Sequence, residues 1–468
     1  MRTTEALKPS RSTEALQSRL TPQSLTTRTE LKRQIGLRTA TVLVVGEVIA
    51  VGIFLTPAGM AKALGSPFWV LVVWLVMGAM AVCGALCYGE LAARYPQAGG
   101  SYVYLREAYG RGVAFLYGWM ALLVMDPGLT AALAVGLAGY VVYIFGLSLA
   151  STKAIAILAI VLLAIVNIVG LRFGAGLMRW LTIVKLGLLL FILLWGFGFQ
   201  LGNWSNFTPF IAQRPNSGPL LMGLAGGMVA AFFSFGGWWD LTKIAGEVHD
   251  PARTLPRALV YGVLIVTVVY ILTSAVFFYL VPLESVTSGE TFAAQAGEVL
   301  FGRAGAKVFS VIIIVAVASS LTAVMMSAPR VYFAMARDGL FVPATAVLHP
   351  RFGTPARAIA LQAFLAGALV LLGNFNQIIA YFVFTVVVFI ALTVAALFVL
   401  RRRDSNQPSY HVPGYPLTPI IFLVQVVVLL VLLGNSNPKK SLLGIGVVAL
   451  GIPVYYLLFA GRADESGR

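Results

Sequence analysis

The sequence predicts an all-α polytopic membrane protein. Hydrophobic residues make up 59% of the 468 residues and charged residues only 11%, whereas a soluble globular protein carries about 25% charged residues. The apolar residues form runs long enough for a membrane-spanning helix, which needs about 20 residues. Runs such as residues 181–199 do not alternate between apolar and polar side chains, as the strands of a transmembrane barrel would. The spans are therefore predicted to be helices.

Twelve apolar runs predict twelve transmembrane helices in one membrane domain, residues 36–460. The first 35 residues are polar, lack the apolar segment of a secretory signal, and are predicted to form a disordered tail; residues 461–468 form a short tail at the other terminus. The predicted spans are residues 39–62, 68–92, 113–145, 153–171, 176–200, 218–247, 256–282, 304–336, 355–373, 376–400, 417–435 and 440–460.

Lysine and arginine residues in the short connections predict the orientation. Such residues collect on the cytosolic side of a membrane, and here the tail and every second connection are basic, with Lys439 and Lys440 as the one break in the pattern. Both termini are therefore expected in the cytosol. The basic residues are Arg28, Lys32, Arg33, Arg38, Arg94, Arg106, Arg111, Arg172, Arg179, Arg253, Arg257, Arg337, Arg351, Arg357, Arg401, Arg402 and Arg403.

The distribution of charge and the few cysteine and histidine residues argue against several other functions. The net charge of +16 is divided among short connections instead of forming a stripe on one face, so nucleic-acid binding is not predicted. Cys83 and Cys87 are too few for a structural zinc site, and neither lies in a predicted outer loop where it would link a partner subunit. The histidines, His249, His349 and His411, all lie in predicted cytosolic loops. We therefore expect no enzymatic activity, metal or cofactor.

Glycines interrupt the first and sixth predicted spans. Gly46 and Gly52 lie in the first, and Gly236 and Gly237 in the sixth, although each glycine costs a helix interior up to about 1 kcal/mol relative to alanine. Unwound backbone at membrane depth persists only inside protein or beside a water-filled cavity. Its free N–H groups suit a carboxylate and its free carbonyl groups suit an ammonium. The alternative is that these glycines only permit close helix packing.

Several segments resemble the amino acid/polyamine/organocation (APC) superfamily. GEVIAVGIF, residues 46–54, is similar to the family's first-helix signature GxxIGxGIF, and residues 233–258 are similar to its sixth helix and following loop. The segments at 101–110, 330–339 and 411–419 fit in the same order. The resemblance covers about residues 35–460 and is closest to bacterial relatives of the L-type amino acid transporters.

The resemblance implies an architecture and a site. The first ten helices of the chain would form two inverted five-helix repeats, about residues 39–200 and 218–400, in which helices 1 and 6 are discontinuous. Two further helices would follow within residues 417–460. Substrate would lie between helices 1, 6, 3 and 8. The implied contacts are the amides of Ala50, Val51 and Gly52 for a carboxylate and the carbonyl groups near Val48, Ile49, Phe233, Ser234 and Phe235 for an α-ammonium. Gly236 is a further expected substrate contact, and Phe233 and Trp239 are the expected gates.

The chain departs from the family pattern at two of these positions. Ala50-Val51-Gly52 stands where the family usually has Gly-Ser-Gly, so no hydroxyl group at residue 51 would assist carboxylate binding. Trp239 stands where relatives often carry a smaller or polar residue, and it is expected to reshape the pocket. Substrate specificity is therefore not carried over from the family.

Lys185 lies within the fifth predicted span, where a charge is costly and marks a functional candidate. The resemblance places it where some sodium-independent members use a lysine in place of a sodium ion. There its ammonium would bridge the broken part of helix 1 and helix 8, near Ser319 or Ser320. It would act as a proton carrier or as a fixed strut; the alternative is a lysine that reaches the interface from a helix end.

Two acidic residues within predicted spans have several possible roles. Glu47 lies beside Gly46, where it would attract a second cationic group on the substrate, bind a proton for coupling, or pair with Lys185. Asp126, in the third span, is expected to face the same cavity. A third group, at the cytosolic end of helix 6, is interpreted as an inner-gate network of salt bridges, with exposed helix-end charges as the alternative. It comprises Asp240, Lys243, Glu247, Arg253 and Arg257.

These observations predict a secondary active transporter of amino acids in the cell membrane, which works by alternating access with proton symport or substrate exchange. Neutral amino acids are the first expectation. Glu47 and Asp126 favour the alternative of basic amino acids or polyamines, and a nutrient sensor that binds without transport is the alternative of another class. The expected partners are an amino acid, membrane lipid and protons, with no nucleic acid and no obligatory protein subunit.

Overall fold

A computed structural model describes residues 31–50, 52–215, 217–286, 289–372, 375–403, 408–436 and 438–460, and these residues are almost entirely helical. Their only strand-like pairing is an isolated parallel bridge between Ile35 and Val248. The α-helices are α1 (Leu37–Val48), α2 (Gly52–Leu64), α3 (Pro67–Arg94), α4 (Ser101–Tyr109), α5 (Arg111–Met120), α6 (Asp126–Phe145), α7 (Ser151–Val169), α8 (Leu171–Gly198), α9 (Leu220–Phe235), α10 (Pro251–Leu280), α11 (Gly289–Phe301), α12 (Gly305–Ser327), α13 (Pro329–Arg337), α14 (Ala356–Leu372), α15 (Phe375–Arg403), α16 (Leu417–Ser436), α17 (Pro438–Ala449) and α18 (Gly451–Leu458).

The helices coincide with the predicted spans. Within the described ranges, ten continuous or joined helices are long and apolar enough to cross a membrane, and α1 with α2 forms an eleventh candidate that is bent by 50°. The remaining predicted span, 355–373, corresponds to the shorter apolar helix α14. The all-α polytopic prediction is confirmed. The division into inverted repeats stays a prediction, and the predicted tails lie largely outside the described residues.

The bundle has two ends that differ in charge. One end, which we call the basic end, carries the start of α1 and the end of α15, and Arg403 Nη1 there donates to the carbonyl oxygen of Ala108. Residues 35 and 459 both lie at this end, since Ile35 pairs with Val248 and the Phe459 ring packs on Phe115. The opposite end, which we call the far end, carries the loop 199–219.

Small residues allow the spans to approach closely in the core. A Cβ atom at Gly78 of α3 would lie 2.4 Å from Thr267 Cγ2 of α10, and one at Gly262 of α10 would lie 2.5 Å from Val44 of α1. Such positions exclude any larger residue without movement of the neighbouring helix. The pair α3 and α10 and the pair α6 and α12 are among the most extensively packed.

Three spans contain irregular backbone at mid-depth. The first is interrupted between Val48 and Gly52, and its residue Val51 lies outside the described residues. The sixth ends its α-helix at Phe235, passes through Gly236 and Gly237 (φ +104°), and continues as a 3₁₀ helix over Trp238–Glu247. The third has a π-helical turn, Ala121–Met125, between α5 and α6. The interruption of helix 6 therefore occurs at the predicted Gly236 and Gly237, whereas that of helix 1 ends at the predicted Gly52 and leaves Gly46 inside α1.

Candidate functional site

The two interrupted spans touch each other at their breaks. A Cβ atom at Gly52 would lie 2.8 Å from Ser234 Oγ and 3.0 Å from Ser234 Cα, closer than real Cβ atoms approach backbone. Thr56 Oγ1 lies 2.8 Å from Ser234 Oγ, so the two spans also share a hydrogen bond. Because residue 52 is a glycine, the peptide groups of the two breaks can lie next to each other.

Lys185 occupies the carbonyl side of the first break. Its side chain is fully buried, and Nζ donates to the carbonyl oxygen atoms of Gly46 at 2.8 Å and Ile49 at 2.5 Å. The unwound turn leaves these carbonyl groups without helical partners, and a buried unpaired carbonyl group is costly. Lys185 therefore satisfies the interruption directly, and its ammonium does not reach the membrane interface.

Hydroxyl groups from neighbouring spans complete this cluster. Ser320 Oγ lies 2.8 Å from the Gly46 carbonyl oxygen and 3.3 Å from that of Ile49, and Ser319 Oγ lies 2.8 Å from Thr182 Oγ1. A Cβ atom at Gly46 would lie only 2.4 Å from Thr182 Oγ1. The first break thus packs against α8 and α12 without room for any side chain at residue 46.

Tyr270 of α10 connects the two breaks, and the sequence analysis did not identify it. Its hydroxyl oxygen lies 3.0 Å from the Val48 carbonyl oxygen and 2.7 Å from that of Ser234, so one hydrogen is shared between both spans. The ring is fully buried and packs edge-on against Trp74. The available signal was a tyrosine in the middle of an apolar run, because a buried tyrosine hydroxyl usually finds a polar partner.

A cavity of about 90 Å³ opens beside the two breaks, whereas one water needs about 10–15 Å³. Leu129, Leu133, Val383 and Val386 supply an apolar wall. The predicted site residues that line the cavity are Glu47, Val48, Ala50, Gly52, Asp126, Phe233, Ser234, Gly236 and Trp239.

Two predicted contact residues are placed differently, and a third is not described. Ile49 and Phe235 are buried outside the lining: the Ile49 carbonyl group is held by Lys185, and the Phe235 ring packs on Tyr270 at 5.2 Å. Val51 lies outside the described residues. The two residues predicted as gates, Phe233 and Trp239, both line the cavity, where Trp239 stacks on Phe232 with ring centroids 6.4 Å apart.

The polar end of the cavity is built around a second buried lysine. Lys243 Nζ lies 2.9 Å from Asp126 Oδ1 and 3.1 Å from Asp240 Oδ1, and all three side chains are almost completely buried. The π-helical turn and Pro127 direct this arrangement locally, since Asp126 begins α6 immediately after that turn. Asp126 therefore already has a cationic partner within the protein.

A polar chain supports Asp126 from behind. The Tyr332 hydroxyl oxygen lies 3.3 Å from Asp126 Oδ2 and 2.6 Å from Gln362 Oε1, and Gln362 Nε2 donates to Thr130 Oγ1 at 2.9 Å. Sequence reasoning missed Tyr332 and Gln362. Polar residues inside the predicted eighth and ninth spans were the signal that marked them.

Glu47 is the one acidic side chain at the cavity without a cation bound to it. The residue is 7% exposed, and within the described part of the chain its Oε1 atom has no hydrogen-bond partner. Gly237 makes room for it, because a Cβ atom there would lie 3.0 Å from Glu47 Cγ. The predicted pairing with Lys185 is not observed, since the Lys185 ammonium contacts the Gly46 and Ile49 carbonyl groups instead.

The charged residues of the sixth span do not form one network. Asp240 and Lys243 belong to the cavity, whereas Glu247 lies at the basic end and forms a buried ion pair with Arg330, at 2.7 Å between Oε1 and Nε. Arg253 is exposed and lies 3.9 Å from Asp250. The 3₁₀ segment Trp238–Glu247 contains Asp240, Lys243 and Glu247, but it is kinked at Ile244, between Lys243 and Glu247, which sequence spacing alone did not predict.

Further contacts close the basic end. Arg106 pairs with Asp338, whose carboxylate also accepts a hydrogen bond from the Tyr102 hydroxyl at 2.8 Å. Burial alone would lower the pKa of Arg106, but the adjacent carboxylates of Asp338 and Glu107 raise it. Gln34 and Ile35 donate backbone hydrogen bonds to the Glu247 carbonyl oxygen. The segment before α1 is thus joined to the end of the sixth span.

Arg214 joins elements at the far end. It pairs with Glu284 and donates to the carbonyl oxygen atoms of Asn206 and Gly65, at 2.8 and 3.4 Å. Partial burial would raise the pKa of Glu284, but the hydrogen bonds and charge of Arg214, with a backbone hydrogen bond, hold it below its ordinary value. These contacts tie the end of α2 to the loop 199–219.

Comparisons with known proteins identify relatives over nearly the whole chain. A family model described as amino acid permease matches residues 35–456. The chain is 33% identical to the serine/threonine exchanger SteT of Bacillus subtilis (strain 168), over 91% of this chain and 97% of that protein.

Mammalian relatives match over a similar length. The chain is 30% identical to Asc-type amino acid transporter 1 of Mus musculus, over 92% of this chain and 82% of that protein. It is also 30% identical to large neutral amino acids transporter small subunit 2 of Homo sapiens, over 91% of this chain and 80% of that protein.

Proposed function

The chain belongs to the amino acid permease family, and from that premise we propose that it transports neutral amino acids across the cell membrane by alternating access. The named activities of the relatives, a serine/threonine exchanger among them, support exchange of one amino acid for another as the mode of transport. The proposal concerns the substrate class, the mode and the site.

One observation carries the proposal: the interrupted backbones of two spans meet at a single cavity. Ala50 and Gly52 of the first break and Gly236 of the sixth all line it. Free N–H groups at the start of α2 would bind a carboxylate, and remaining lone pairs on the carbonyl groups of both breaks would accept an ammonium. A zwitterion carries both groups on one carbon.

The cavity walls support a neutral side chain. Leu129, Leu133, Val383 and Val386 line the same cavity and provide apolar surface. Asp126, which would attract a cationic side chain, is already paired with Lys243 at 2.9 Å. The size of the cavity, about 90 Å³, suits a small amino acid.

Lys185 is proposed as a fixed strut for the first break. Its two hydrogen bonds to the Gly46 and Ile49 carbonyl groups hold the unwound turn open, as a bound cation would. Rocking of this turn against α8 and α12 would require these bonds to lengthen. Phe233 and Trp239, which face the cavity, are proposed as the side chains that cover substrate.

The ion pairs at the two ends are proposed as the contacts that alternate during the cycle. The basic end, closed by Glu247 with Arg330 and by Arg106 with Asp338, is assigned to the cytosol, because basic connections remain on that side. Both termini would then be cytosolic. At the far end, Arg214 with Glu284 would loosen when the outer path opens.

Reconstituted protein provides the test. Liposomes preloaded with L-serine, L-threonine, L-alanine or L-leucine are expected to accumulate the same radiolabelled amino acid by counterflow. Gly52→Ala should lower that flux at least about tenfold, since its Cβ would meet the Ser234 backbone at 3.0 Å and displace the amides that bind the carboxylate.

Gly136→Ala is the matched control, because a Cβ atom there meets nothing within 4 Å; it should transport normally. Equal flux in both variants would contradict the proposed site. Binding of an amino acid without any flux would instead indicate a sensor. Uptake of arginine, lysine or putrescine with no neutral uptake would favour the cationic alternative, which the unpaired Oε1 of Glu47 supports.

A further inference from the structure

The charged groups at the polar end of the cavity do not balance. Asp126 and Asp240 share one ammonium, that of Lys243. Glu47 is a third carboxyl group on the same cavity. With all four groups ionised, the cluster would carry two net negative charges in a buried, low-dielectric place. A like charge nearby and burial both disfavour an ionised carboxyl group, so the cluster requires a further positive charge.

Among the residues that the structure describes, the surroundings of Glu47 offer no such charge. Asp240 and Lys243 face it from the 3₁₀ segment and Asp126 from α6, and Lys243 is already placed between those two aspartates. Lys185 approaches from α8, but its ammonium is bound to the carbonyl groups on either side of Glu47. Glu47 Oε1 is thus buried, unpartnered and on the cavity wall.

A metal ion does not fit this position. In the part of the chain that the structure describes, no group of three or more His, Cys, Asp or Glu side chains is arranged to hold one. Lys243 lies between two of the three carboxyl groups and repels a second cation there. The remaining candidates are a cationic group on the substrate and a proton, and the apolar side chains that line the cavity disfavour the cationic group.

We propose that the Glu47 carboxyl group is a proton-binding site and that a neutral amino acid binds together with that proton. The proton passes from water in the cavity to Glu47 Oε1 when substrate enters, and returns to water when substrate leaves. No other bond forms or breaks. The proposal rests on the proposed function, and it adds that the site carries one proton with each substrate molecule.

The local backbone supports this role. Gly237 adopts φ +104°, and a Cβ atom at that residue would lie only 3.0 Å from Glu47 Cγ, so the carboxyl group lies against the break of the sixth span. When that span moves during transport, Glu47 and Asp240 change their separation, because they belong to different spans. A change in separation alters their repulsion and thereby the proton affinity of Glu47, which couples proton binding to the movement.

Substrate affinity across pH tests the proposal on purified full-length protein. Dissociation constants are measured by scintillation proximity for radiolabelled L-serine, L-threonine, L-alanine and L-leucine from pH 5 to pH 8.5. The wild type is expected to bind best at low pH, and affinity should then fall by up to about tenfold per pH unit once Glu47 loses its proton, as linkage to one proton requires.

Three variants sharpen the test. Glu47→Gln mimics the protonated carboxyl group, so it should keep the low-pH affinity and lose the pH dependence. Asp240→Asn removes the neighbouring negative charge, so affinity should begin to fall at lower pH than in the wild type. Asp250→Asn is the control: this exposed residue has φ +42°, which asparagine adopts readily, and its pH profile should match the wild type.

Flux provides a second readout. At a subsaturating external substrate concentration, counterflow should slow as the external pH rises in the wild type but not in Glu47→Gln. A pH profile unchanged by Glu47→Gln overturns the proton site and leaves the proposed function standing. Failure to bind any of the four amino acids at every pH overturns the proposed function. If the wild type binds lysine or putrescine but no neutral amino acid, and Glu47→Gln loses that binding, both the proton site and the proposed function are wrong.

Discussion

Two buried lysines lie near the same cavity and are neutralised in different ways. Lys185 is bound to peptide carbonyl groups at 2.8 and 2.5 Å, whereas Lys243 lies between two carboxylates at 2.9 and 3.1 Å. The first lysine satisfies backbone that an interrupted helix leaves unpaired. The second balances side chains that would otherwise repel each other. Lys185 therefore stabilises the conformation of an interrupted helix, whereas Lys243 balances the charge of two carboxylates.

This difference predicts how removal of each ammonium should act. Loss of Lys185 leaves dipoles unpaired, and water can replace part of the interaction. Loss of Lys243 leaves two carboxylates facing each other in a buried place, which only protonation or unfolding relieves. Stability should consequently depend more on Lys243, and transport more selectively on Lys185.

The largest effect is expected for Lys243→Met. Removing one partner of a buried ion pair costs about 3–5 kcal/mol, and here two carboxylates lose their shared cation. We expect low yield of folded protein and a markedly lower unfolding temperature in detergent. The double variant Lys243→Met with Asp126→Asn removes one of the carboxylates and should recover part of the loss. If the single variant is as stable as the wild type, the charge-balance role of Lys243 is wrong.

A smaller loss of stability, but a loss of transport, is expected for Lys185→Ala. A hydrogen bond to a charged group contributes about 1.5–3 kcal/mol, and water entering the vacated space would replace some of it. The protein should remain folded by size-exclusion chromatography while counterflow falls at least about tenfold. Lys307→Ala, an exposed lysine of α12, is the control with unchanged flux. Normal counterflow in Lys185→Ala would show that Lys185 does not have the proposed role of a strut.

The smallest effect is expected at the far end, where water screens the ion pair of Arg214 and Glu284. The Glu284 side chain is 63% exposed, and its pKa is lowered in the folded protein. A lowered carboxyl pKa contributes stability above the unfolded-state pKa, and that contribution disappears as pH falls through the folded value. Glu284→Gln should therefore narrow the difference in unfolding temperature between pH 7 and pH 4 slightly. If the variant and the wild type show the same difference in unfolding temperature between the two pH values, Glu284 does not contribute this pH-dependent stability.

The interruptions illustrate what could be predicted from sequence. Gly52, Gly236 and Gly237 mark the breaks, because backbone preference is a local property that each residue carries into any fold, whereas Gly46 remains inside α1. The long apolar runs predicted the spans for the same reason. The position of Lys185 next to the first break is implied by a family resemblance, and in the structure its Nζ donates to the carbonyl oxygen atoms of Gly46 and Ile49.

The acidic residues illustrate what sequence could not predict. Glu47 was open to pairing with Lys185, and Asp240, Lys243 and Glu247 were interpreted as one group because they are neighbours in sequence. In the structure, Lys243 instead pairs with Asp126, 117 residues away, and Glu247 pairs with Arg330, 83 residues away. Partner choice depended on the 3₁₀ geometry of the sixth span and on the rotation of the third span.

Sequence alone therefore determined the helical character of the spans and the places where two of them break, since hydropathy and glycine content act locally. Only the tertiary structure decided which charges meet. A helix shows a given side chain to one neighbour or another according to its rotation and crossing angle, and these are set by the packing of the whole bundle. That packing leaves Glu47 facing the cavity without a cation.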